Sequence, residues 1–190
     1  MPGLPAKSLL TICLLALPLT AGLAASPPGP PGKLRGGLHN PMPGGQLSGY
    51  YGDTGLDISG SPRPVYAIAA GTLDYAERGH TLWTGPKDTP FCVRLALDEP
   101  IPWKGRKITH IYYAHLTSVV TEQAENAVER KHVAAGEQLG ISGTARGVAH
   151  LHIGFLLDGN VEQDSWEFIL REFEVRRVLG NYRHGEVLGR

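Results

Sequence analysis

Apolar residues in this chain come in short runs broken by turn signals, with no long helical stripe. Residues 55–59, 65–70, 71–76, 91–97, 107–115, 138–142 and 150–157 each read as a strand bounded by Gly, Pro, Asp or Asn. Asp98-Glu-Pro-Ile-Pro-Trp103 reads as a connection and Asp158-Gly-Asn160 as a hairpin turn. Trp166, Ile169, Leu170 and Phe173 recur at helical spacing, and Asp164 with Glu167 has the spacing of a capping box, so one packed C-terminal helix is predicted. Residues 122–131 predict a short surface helix. The fold class expected from this pattern is mainly β, an antiparallel sheet sandwich with one short C-terminal helix.

Composition sharpens that picture. The 25 Gly and 15 Pro favour turns over long helices, and 42% hydrophobic against 19% charged residues is too apolar for a disordered chain. With 190 residues, one core is expected. Lys plus Arg and Asp plus Glu both number 18, so no basic face is available for nucleic acid. Aromatic residues, at 7%, are too few for repeated base-stacking platforms.

The N-terminus reads as a secretory signal over 1–25: Lys7, an apolar stretch from Leu9 to Leu19, then small residues at Ala21, Ala24 and Ala25. Pro18 and the shortness of the run argue against a spanning helix, so no stable membrane insertion is expected once the signal is removed. Cys13 would leave with the signal. Cys92 would then stand alone in an apolar run, a small buried hydrophobe with no disulfide partner. Residues 26–46, with six Pro and six Gly up to Gly45, read as a tether, and 47–190 as the functional domain.

Candidate chemistry lies in three stretches. In His150-Leu-His152, residues two apart on a strand share a face, which suits a metal site and equally suits two ordinary histidines. His115 ends an apolar run. Asp57 alternates with Leu56 and Ile58, so its carboxylate needs a partner, whether a metal, a cap or an arginine.

Order decides between these readings. Gly55-Leu-Asp-Ile58, Pro64-Val-Tyr-Ala67, Gly71-Thr-Leu73, Tyr113-Ala-His-Leu116, Val133 to Gly140, Gly143 to Gly147 and His150-Leu-His-Ile-Gly154 follow one another as do the motifs of the lysostaphin and LytM-type zinc endopeptidases, which this chain resembles from about residue 49 to 159. The resemblance implies the duplicated hybrid motif form of the sandwich and a metalloendopeptidase of peptidoglycan stems or cross-bridges. It further implies a monomer, periplasmic or secreted, with one zinc ion. It assigns Asp57 and His152 as metal ligands and His115 and His150 as the catalytic pair.

One ligand departs from the pattern: four residues before Asp57, where the family has histidine, stands Asp53. Carboxylate oxygen also ligates zinc, so Asp53, Asp57 and His152 are the expected metal set, though two anions make the ion a weaker Lewis acid. His39 and His80 lack the spacing to replace it. Tyr50 or Tyr51 is the candidate for an added oxyanion donor. The changed ligand also admits an alternative, an inactive relative that binds cell wall or regulates a cell-wall hydrolase.

Overall fold

The computed structural model describes residues 31–80, 85 and 87–189; the expected signal segment lies outside them. Nine strands form one antiparallel sheet: β1 (Gln46–Ser48), β2 (Leu56–Ser59), β3 (Pro64–Tyr66), β4 (Gly71–Arg78), β5 (Phe91–Trp103), β6 (Arg106–Val119), β7 (His132–Val133), β8 (Gln138–Ala145) and β9 (Val148–Leu157). Their order is β1-β2-β9-β8-β6-β5-β4-β7, with β3 on β8 and a second pairing between β6 and β9. β6 therefore has two partners on one side. It lies along β9 through Ala114 and along β8 from Leu116, and at that fork the sheet turns its corner.

Alternation explains the two faces. Leu56 and Ile58 of β2, Ile111 and Tyr113 of β6, and Leu151, Ile153 and Phe155 of β9 all enter one large core. Asp57, Tyr112, Ala114, His150, His152 and Leu156 alternate with them. On that second face Tyr75, Cys92, Tyr112, Ala114, Leu156 and Ile169 make a smaller apolar cluster. Cys92 is fully buried, and burial pushes its thiol up to about 12, in keeping with an inert hydrophobe.

Three expectations are corrected. The segment from Asp98 to Trp103 is not a connection: it continues β5, which returns as β6 through Lys104 and Gly105, both at positive φ. Residues 122–131 form turns, held because Gln123 exchanges both backbone bonds with Ala76. The helix, α1, spans Glu172–Gly180 and begins after Arg171, whose N–H is received by the Glu174 carboxylate at 3.3 Å. Ile169 and Leu170 precede it as an extended segment bonded to β9, which gives the same pair of adjacent buried residues that a helix would.

The described part of the supposed tether is not free of the domain. Leu34 and Met42 are buried in the main core, and residues 36–45 bond back to the chain, Gly36 to Leu179, His39 to Ile68 and Gly44 to Leu188. Pro and Gly exclude a helix but do not exclude packing, and Leu34 and Met42 supply the apolar anchors. The last residues join in: Leu188 is buried, and Leu47 donates to Glu186.

Burying Leu34 and Met42 is worth about 1.5 to 3 kcal/mol each. A chain beginning at Leu47 should therefore melt about 10 °C lower by calorimetry. Equal melting temperatures would restore the tether.

Candidate functional site

Register builds the site. In β2 and β9, Asp57 pairs directly with His152 and Ser59 with His150, while on the far side of β9 Ala114 of β6 faces His152. Directly opposed residues of neighbouring strands are close enough for their side chains to touch. The Asp57 carboxylate accepts from His152 Nδ1 at 2.7 Å and lies 3.8 Å from His150 Nε2.

His115 reaches the same face by a different device. Phe91 and Val93 of β5 oppose Leu116 and Tyr113 of β6, so Cys92 alone spans both Ala114 and His115. His115 is thus the extra residue of a β-bulge, with φ at +63°. Strict alternation from Tyr113 would send His115 into the core. The bulge makes Leu116 the next core residue and turns the imidazole toward the second face, where its ring centroid lies 5.0 Å from that of His150 and 6.1 Å from that of His152.

Hydrogen bonds then fix the tautomers. His150 Nδ1–H donates to the Val148 carbonyl at 3.0 Å, which leaves Nε2 unprotonated and facing Asp57. His152 donates through Nδ1 to Asp57, and its Nε2 accepts from the Tyr112 hydroxyl at 3.0 Å. Tyr112 was not among the residues singled out from the sequence. Its signal is Gly154, two residues past His152 on the same face and in register with Tyr112, where a Cβ would overlap the phenol ring.

Charge follows from burial. His115 is buried, its Nδ1 has no hydrogen-bond partner among the described residues, and burial with the two neighbouring imidazoles lowers its pKa to about 4. Burial alone would raise Asp57, but the bond from His152 and the three imidazoles outweigh it and hold the carboxyl below its usual range. The arrangement is a carboxylate with three imidazoles around it, of which His115 is held neutral by burial.

Asp53 is bonded within its own turn, near enough to Tyr112 for its charge to add to burial in holding that phenol above its ordinary range. Its carboxylate accepts the backbone N–H of Thr54 at 2.8 Å, and its carbonyl receives the N–H of Glu172. Among the described residues no set of three or more His, Cys, Asp or Glu is arranged to hold a metal ion. Catalytic zinc needs three protein ligands. The structure brings Asp57 and His152 together, with one Asp53 oxygen bonded to Thr54 and both nitrogens of His152 engaged, so these three residues are not arranged as a set for that ion. Tyr50 and Tyr51 are exposed, and Tyr51 stacks on Phe173 at 5.0 Å.

Comparison with known proteins gives likenesses of shape. No family model matches the chain, and no curated protein matches it. Among solved structures it is similar to a peptidase M23 of Pseudomonas aeruginosa at 21% identity, covering 82% of this chain and 55% of that one, with a TM-score of 0.48. The antimicrobial peptidase lysostaphin of Staphylococcus simulans gives 19% identity, 75% and 53% coverage and a TM-score of 0.49. Its catalytic domain gives 22%, 65% and 86%, with a TM-score of 0.43. The chain thus spans little more than half the length of the first two.

Two measurements test this geometry. Because His115 titrates near pH 4 when folded and near 6.5 when unfolded, the unfolded chain binds the extra proton between those values, and stability should fall as pH falls through that window. His115→Asn should flatten this part of the curve in denaturant unfolding at pH 7, 5.5 and 4.5; an unchanged slope would show that the ring is not buried neutral. Second, Asp53→Ala should leave zinc affinity within about twofold of wild type in a chelator-competition titration. A loss of about tenfold or more would place Asp53 among the ligands.

Proposed function

We propose that this chain is an exported peptidase of the lysostaphin and LytM type, acting on the peptide stems or cross-bridges of peptidoglycan in the periplasm or outside the cell. The observation that supports it is the meeting of Asp57, His115, His150 and His152, drawn from three strands, on one face of the sheet. Those four residues occupy the family's motifs in the family's order. The signal pattern at 1–25 supports export, and no helix among the described residues is long and apolar enough to cross a membrane.

Hydrolysis of a peptide adds a water oxygen to the carbonyl carbon, breaks the C–N bond and returns a proton to the departing amine. His150 Nε2 and neutral His115 are two proton acceptors on one face, suited to orient that water and take its proton. The imidazolium formed can donate to the developing oxyanion and then to the amine, while the Asp57 carboxylate balances its charge. Zinc, implied by the resemblance, lacks a third ligand here, and the roles of His115 and His150 are stated without it.

A second reading has one observation in its favour. Asp53 accepts the Thr54 N–H and His152 is satisfied by Asp57 and Tyr112, an arrangement whose bonds need no metal. A relative of this kind would bind cell-wall peptide, or a partner hydrolase, without cutting.

Purified peptidoglycan sacculi separate the two. Peptidase action should release free amines over time, and His115→Ala and His150→Ala should each lower release by about 100-fold or more at an unchanged melting temperature. Co-sedimentation with sacculi without amine release would establish the binder in its place.

A further inference from the structure

His115 carries the one backbone conformation at the site that an L side chain rarely adopts, and something must hold it there. The group that touches it is Thr89, the residue two before β5. Its hydroxyl donates to the His115 carbonyl at 2.8 Å and accepts the Thr144 N–H at 3.0 Å, and its own backbone N–H donates to the Thr144 carbonyl at 2.9 Å. Thr89 is thus bonded to β8 on one side and to the bulge of β6 on the other. Its neighbour Asp88 reinforces the attachment by accepting the Arg146 N–H at 2.7 Å.

The space for this hydroxyl is made by a glycine. A Cβ on Gly143 would overlap the Thr89 hydroxyl and lie 2.7 Å from the Thr117 hydroxyl. Gly143 also pairs with His150, so the residue that admits Thr89 is the cross-strand neighbour of the second histidine. The hydroxyl therefore lies between the backbone of one histidine and the cross-strand neighbour of the other.

We infer that Thr89 is a positioning residue, its hydroxyl clamping the bulged backbone so that the His115 ring faces His150; calling the pair catalytic rests on the peptidase reading above. A bulge whose extra residue loses the one side-chain bond to its backbone seen among the described residues can relax toward regular alternation. The ring then swings out of the site. Displacement by about 1 Å is enough to cost about 100-fold in a positioned reaction.

The test uses Thr89→Val, which keeps the shape and removes the hydroxyl, and Thr89→Ser, which keeps the hydroxyl. Proton NMR of the mature chain should show a nuclear Overhauser contact between the His115 and His150 rings in wild type and Thr89→Ser, and its loss in Thr89→Val while the melting temperature falls by only a few degrees. This readout needs no activity, so it stands even where sacculi are not cut. Where they are cut, kcat should fall by about 100-fold in Thr89→Val with KM unchanged, and Thr89→Ser should recover it. A folded Thr89→Val that keeps the ring contact overturns the assignment. Should Thr89→Val fail to fold, Thr89→Ala is measured in the same way, and failure of both to fold also overturns it, since the hydroxyl would then serve the fold as a whole.

Discussion

β6 has to serve two neighbours that do not lie in one line, β9 up to Ala114 and β8 from Leu116, and the backbone reconciles them by inserting one residue at positive φ. Such a conformation costs about 1 to 3 kcal/mol for a residue other than glycine. It persists because the paired strands on both sides fix the residues before and after it and the Thr89 hydroxyl holds its carbonyl. The place of His115 in the site follows from that inserted residue. Without it the histidine would lie in the main core, and His150 would face Asp57 with no second imidazole opposite.

The second face of the sheet makes the arrangement rigid. Tyr112 packs in an apolar cluster with Tyr75, Cys92 and Leu156 and sends only its hydroxyl to His152. Beyond the cluster, Arg94 bonds Asp74 and Glu125 at 2.8 Å and the Val161 carbonyl at 3.0 Å, joining β4, β5 and two loops. Buried pairs of this kind are poor stabilisers in net terms, and they specify which loops meet. The polar groups of the site thus stand on a floor whose phenols stay un-ionised: the Tyr112 and Tyr75 hydroxyls are both held well above their ordinary range by burial.

Legibility in the sequence followed the reach of the interactions. Strand alternation is local, so the pairing of His150 with His152 on one face, and the turning of Asp57 away from Leu56 and Ile58, could be read directly. The contact of Asp57 with His152 spans 95 positions and depends on register, which no window of sequence contains. The bulge at His115 was hidden for the same reason, since it exists only where β5 and β6 fall out of step. Pro and Gly gave no sign of the packing seen from residue 31 onward, because composition reports the secondary structure a segment cannot form and is silent on whether Leu34 and Met42 find a core. Asp53 was legible as a departure from the motif, but its bond to Thr54 is a property of the turn.

The bonds that tie Gly44, Gly45 and Leu47 to Glu186 and Leu188 have a temporal consequence. One edge of the domain is completed by residues 186–188, so a nascent chain cannot close that edge until they have left the ribosome. Sheet pairings between distant segments also form slowly. The topology itself therefore delays closure of the core until both segments have been made.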